Sequence, residues 1–76
     1  MSGARNIGQL EIGESAALGE MGLPAAAAAR LRELGLLPGA AVRLVRRAPL
    51  GCPIEFEVGG ARLALRERDA AQIFVQ

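Results

Sequence analysis

Cys52 is the single thiol of the chain, and histidine is absent from the sequence. Divalent transition-metal sites draw on imidazole, thiolate and carboxylate groups. The acidic residues here are scattered, and no cluster has the spacing of a ligand set, so no metal or cofactor site is expected. Nucleophilic catalysis needs a base beside the nucleophile, and Cys52 has no histidine to serve it. No triad or paired-carboxylate site is recognisable, which leaves no catalytic residue to name and points to a non-enzyme. Cys52 reads as a loop residue between Gly51 and Pro53. Gly59-Gly60 lacks the rest of a phosphate cradle and is better explained as a two-residue hairpin turn.

Arg43, Arg46 and Arg47 form a basic run, with Arg62, Arg66 and Arg68 further on. A nucleic-acid surface would interleave such charges with aromatic stacking platforms. Phe56 and Phe74 are the only aromatic residues, and neither stands in a basic run. Charges on strands more commonly keep sheet edges from pairing with other molecules. A net charge of +1 gives no global attraction to nucleic acid or anionic lipid. No nucleic-acid partner is expected, and Arg47 is assigned to tuning the rate and salt dependence of a protein contact. Leu37, Leu50 and, less directly, Leu36 lie in loops beside proline and glycine, where the demands of a core are weaker. Exposed together, Leu37 and Leu50 would make a small apolar patch of the kind that marks a partner site. Buried, they would plug one end of the fold.

The stretch Leu31-Arg32-Glu33-Leu34-Gly35-Leu36-Leu37-Pro38-Gly39-Ala40-Ala41-Val42 must position most of these residues. Gly35 suits the left-handed position just past a helix, where the missing Cβ removes a steric penalty. Leu36 would then fold back onto Leu31, the contact that often accompanies such a cap. Pro38-Gly39 supplies the fixed and positive φ angles of a type II turn from Leu37 to Ala40. Upstream, Pro24 fits the first turn of a helix, and Ala25 to Leu34 is rich in good helix formers. Ala27, Leu31 and Leu34 fall on one face of that helix.

Downstream the period changes to two. Val42 and Leu44 face one way, and Arg43, Val45 and Arg47 the other. The prolines and glycine of Ala48 to Pro53 make that stretch a loop. Ile54, Phe56 and Val58 alternate with Glu55 and Glu57. Across the Gly59-Gly60 turn, Val58 pairs with Ala61, Glu57 with Arg62, Phe56 with Leu63 and Ile54 with Leu65. That register places apolar residues opposite apolar ones and a carboxylate opposite a guanidinium. Arg66 to Gln72 reads as a single helical turn, and Ile73 to Val75 as a last strand. Before the helix, Leu10 to Glu14 leads through a turn into a strand over Ser15 to Glu20. Residues 1–9 read as a loose N-terminal end, and residues 10–76 as a single domain.

The expected fold is mainly β: about five short strands and one helix. Seventy-six residues cannot cover two sheets, so the sheet should close into a small barrel with the helix capping one opening. A chain this short has little room for both a deep pocket and a stable core. Met1 to Gln9 has no apolar run typical of a signal peptide, and no apolar stretch is long enough to span a bilayer. One cysteine rules out an internal disulfide, and the cytoplasm is the expected setting.

Arg30 to Gly39, then Ala48-Pro49-Leu50-Gly51, then Leu63-Ala64-Leu65-Arg66 resemble the FeoA family of ferrous-iron transport accessory proteins. The likeness runs from about Leu10 to Val75. It implies an SH3-like barrel, the architecture already reached from the strands. It also implies a non-enzymatic bacterial partner of FeoB, the ferrous-iron permease of the membrane; the loop and charge reading above supplies Leu37, Leu50, Leu36 and Arg47 as the contact residues. After Pro-Leu-Gly the family commonly has Asp before the next proline, and Cys52 stands there instead, ahead of Pro53. A metal-responsive regulator domain and a nucleic-acid-binding barrel are the alternative readings.

Gly35→Val is expected to cost about 1–3 kcal/mol, because a β-branched residue is strained at positive φ. The midpoint of urea unfolding measures this, and an unchanged midpoint would contradict the assigned turn.

Overall fold

A computed structural model describes residues 5–76, and in it the period-two stretches are strands. They are β1 (Ser15–Met21), β2 (Ala41–Arg47), β3 (Ile54–Val58), β4 (Ala61–Leu65) and β5 (Ile73–Val75). All pair antiparallel in one sheet of order β4-β3-β2-β1-β5. Helix α1 (Ala25–Glu33) joins β1 to β2, and the single turn α2 (Glu67–Ala70) joins β4 to β5. Leu18, Val42, Leu44, Ile54, Phe56 and Ile73 are fully buried, so the sheet wraps one aliphatic core. The β3–β4 hairpin has the register set by its alternation, from Val58 opposite Ala61 to Ile54 opposite Leu65.

The turn after α1 has the expected geometry. Gly35 has φ +106°, Leu36 N–H donates to Leu31 O at 3.0 Å, and Gly35 N–H donates to Arg32 O at 3.0 Å. This pair of bonds satisfies two carbonyls at the helix end that would otherwise lack partners. Gly39 has φ +85°, and Ala40 N–H closes the next turn on Leu37 O at 2.9 Å. The same turn is clamped to β1 from both sides: Gly39 N–H donates to Leu18 O at 2.7 Å, and Leu18 N–H to Ala40 O at 2.8 Å. Pro24 precedes the first helical residue with ψ 151°, one position earlier than the sequence suggested.

Two expectations are corrected here. Residues 1–4 of the expected loose end lie outside the described residues, but residues 5–9 are not loose. Ile7 and Leu10 are core residues around a 3-10 turn at Ile7–Gln9. Asn6 bridges to Phe74, and Val75 N–H donates to Arg5 O at 2.9 Å, so the segment extends the sheet beyond β5. The physical reason is size: so short a chain lacks apolar volume, and Ile7 and Leu10 supply it.

The second correction concerns β2. Its pairing with β3 shifts between Leu44 and Arg46, so Val45 is the extra residue of a bulge. Strict alternation would align Arg43, Val45 and Arg47. Instead Arg43 and Arg46 stand opposite Glu57 and Glu55, and Arg47 stands opposite Ile54. The Arg47 guanidinium donates through one nitrogen to Gly8 O at 2.7 Å and Leu10 O at 3.2 Å. It ties the N-terminal segment to the end of β2.

Arg47→Ala should therefore destabilise the chain by about 1–2 kcal/mol, the usual range for charge-assisted hydrogen bonds to backbone. Hydrogen exchange at residues 8–10 should quicken with it. Unaltered exchange there would contradict the tether.

Candidate functional site

Leu50 sits at the third position of a turn in which Gly51 N–H donates to Ala48 O at 2.7 Å. Pro49 fixes φ at the second position, and a further bond from Ala48 N–H to Pro53 O at 3.1 Å closes the base of the loop. Nothing in the fold covers the Leu50 side chain, which is 97% exposed. Leu37 is 51% exposed in the turn before β2. Both are displayed, but not together. They flank opposite ends of β2, whose seven residues span roughly 20 Å at strand rise. The single patch joining Leu37 to Leu50 does not form.

Leu36 is no contact residue: it is fully buried. The return of the chain onto Leu31 turns it inward. Leu34 shares a helical face with Ala27 and Leu31, as its spacing implies, but is 55% exposed. α1 ends at Glu33, and its inward residues are Ala28 and, less completely, Leu31. The signal was present in the sequence. Two leucines flank Gly35, and a cap that buries Leu36 leaves no interior place for Leu34. Ile12 is 67% exposed in the turn before β1, and no sequence signal marks it for display, because a lone apolar residue in a turn carries no periodicity.

The arginine run is already engaged. Arg43 Nε donates to Glu57 Oε1 at 3.2 Å, and Arg46 to Glu55 Oε2 at 2.8 Å. Arg47 holds backbone carbonyls and is not a free surface charge. Glu57 lies opposite Arg62 across the β3–β4 ladder but hydrogen-bonds to Arg43 on the other side. That bond, then the fields of Arg43 and Arg62, hold its carboxyl below the usual carboxylate range. Glu14 is lowered likewise, first by hydrogen bonds from Arg5 and then by the Glu11 N–H. Cys52 is exposed and free. Among the described residues, no three His, Cys, Asp or Glu side chains gather as a metal would need, and no helix is long and apolar enough to cross a membrane.

A model of the FeoA domain matches residues 5–76. The chain belongs to the FeoA family. It is similar to the FeoA protein of Chlorobium tepidum, with 32% identity and a TM-score of 0.87 over 93% of this chain and 70% of that one. It is also similar to Stenotrophomonas maltophilia FeoA, with 38% identity and a TM-score of 0.82 over 96% of this chain and 91% of that one. That protein is described as a prokaryotic SH3-domain protein complexed with zinc and as a candidate ferrous-iron transport activating factor. A manganese-dependent transcriptional repressor shares the fold alone, at 16% identity and a TM-score of 0.82 over 99% of this chain and 42% of that one. The small barrel expected from the strands is SH3-like, as the family resemblance implied.

The lowered carboxyls of Glu57 and Glu14 set the sign of a pH effect. Their ion pairs stabilise the fold above the unfolded carboxylate pKa of about 4.3, and that stability is lost as pH falls through the lower folded values. Glu57→Gln should be less stable at neutral pH and should show a shallower fall in melting temperature below about pH 4.5. Parallel acid limbs for the two proteins would contradict the pairing.

Proposed function

We propose that this chain is a small accessory protein of ferrous-iron uptake, acting by protein–protein contact with a FeoB-type membrane permease at its cytoplasmic face. Family membership supplies the process, since a similar FeoA protein is described as a candidate ferrous-iron transport activating factor. The mode of action rests on one observation: Leu50, at 97% exposure, is held out on a turn stiffened by Pro49. A side chain displayed on a stiff turn loses little conformational freedom on binding, so more of its burial appears as affinity. Leu37, on a second stiff turn about one strand length away, is a separate contact. Two anchors at opposite ends of a small barrel suit a partner that grips the molecule or bridges two copies of it. Arg43 and Arg46, paired with carboxylates, contribute little to such a contact. This is also why a nucleic-acid role is disfavoured: the basic run is largely neutralised within its own sheet.

Leu50→Asp should leave the melting temperature nearly unchanged, because the side chain packs against nothing. The same change should cut recovery of the protein with permease-bearing membranes by roughly tenfold, the loss typical of a truncated anchor residue. Full-strength recovery by a folded Leu50→Asp protein would move the contact elsewhere.

A further inference from the structure

β4 is one edge of the sheet. In a two-residue hairpin the residues flanking the turn exchange hydrogen bonds, so Ala61, Leu63 and Leu65 bond to β3. Arg62 and Ala64 then direct their backbone N–H and C=O groups away from β3, and among the described residues no other backbone group takes them. Proteins commonly blunt such an edge, because it is a template for another strand. Here the edge is bordered by a groove of about 300 Å³ between α1 and β4. Its walls are apolar, with Leu23, Ala27, Leu31 and Leu34 on one side and Leu63 and Leu65 on the other. The alanines of α1 leave this space: a larger residue at Ala27 would fill it.

An open ladder beside an apolar trough is the arrangement by which proteins capture extended peptides. Backbone bonds supply affinity, and alternate side chains drop into the trough. Charge selects the occupant. Arg30 lines the groove, and Arg62 and Arg66 are exposed along the edge. Among the described residues none of the three has a carboxylate within salt-bridge distance, whereas Arg43 and Arg46 do. Asp69 is the one acidic residue lining the groove. A second copy of this chain would bring a second set of these arginines to the same edge, so self-pairing is disfavoured.

We propose that the β4 edge and the α1–β4 groove form a docking site for an extended segment of a partner protein, in which apolar residues alternate with acidic ones. The segment adds as a strand beside β4, its apolar side chains in the groove with Leu63 and Leu65 and its carboxylates on the opposite face, near Arg62 and Arg66. This site is separate from the Leu50 loop, and its test contains no permease, so the two can fail independently.

The probe is a capped octapeptide alternating Glu with Val and Leu, titrated into the ¹⁵N-labelled full chain at low salt. A matched peptide with Lys for Glu and an acidic peptide of shuffled pattern serve as controls. Saturable shifts at Arg62, Ala64 and Leu34 are expected with the alternating acidic peptide. Arg62→Glu should weaken its binding by ~5-fold or more through lost charge complementarity. Ala64→Pro should abolish it by removing one outward N–H from an edge position that tolerates proline. Leu34→Asp, at an exposed position, provides a second variant should Ala64→Pro fail to fold. Equal binding of the Lys or shuffled peptide, shifts confined to other surfaces, or no saturable shift would overturn the proposal. Concentration-dependent shifts of Arg62 and Ala64 without peptide would overturn it too, identifying a second copy as the occupant.

Discussion

One leucine must turn inward between two that do not. Leu34, Leu36 and Leu37 crowd the junction of α1 and β2, and the interior takes only Leu36. Burying a leucine fully is worth about 1.5–3 kcal/mol. A helix carried on through Gly35 to bury Leu34 instead would gain a similar amount but would hold a glycine in its interior, at a cost of about 0.5–1 kcal/mol. At φ +106° past the helix end the same glycine is the favoured residue, so the tight return wins. With Leu36 seated, Gly39 and Ala40 meet Leu18 from both sides, and the β1–β2 pairing follows. α1 ends where it does, β2 begins where it does, and Leu34 and Leu37 are left outside by that single decision.

A second constraint closes the other end. The sheet curls without β4 and β5 pairing to each other: β4 is left as a free edge, while residues 5–6 cover the outer side of β5. Arg47 reaches across to the carbonyls of Gly8 and Leu10, while Arg5 pairs with Glu14 to fix the start of the same segment. The charges at this end serve the fold. Those around β4 make no close ion pair among the described residues, and the contrast separates tied arginines from available ones.

Local chemistry made much of this legible. Positive φ at Gly35 and Gly39, the hairpin register from Val58 to Leu65 and the strand content all came from short-range rules. What escaped was set by long-range contact. The docking of Ile7 depends on a partner surface formed by elements far away in sequence. The bulge at Val45 breaks the alternation that had grouped Arg47 with Arg43. Loop position marks Leu37 and Leu50 for display, but their separation is a property of β2 lying between them. Leu36 shares the loop setting that suggests a contact, yet its own cap implies the burial it has.

Recognition through apolar side chains held out on stiff turns is the mode of action we propose for this FeoA-family barrel. Hydrogen–deuterium exchange of the intact chain, alone and with membranes carrying a FeoB-type permease, decides the matter. Exchange at the Leu50 and Cys52 amides should slow when the permease is present, while the Arg43–Glu57 face is unaffected. Unchanged exchange across residues 48–53, or slowing confined to the arginine–glutamate face, would contradict the claim.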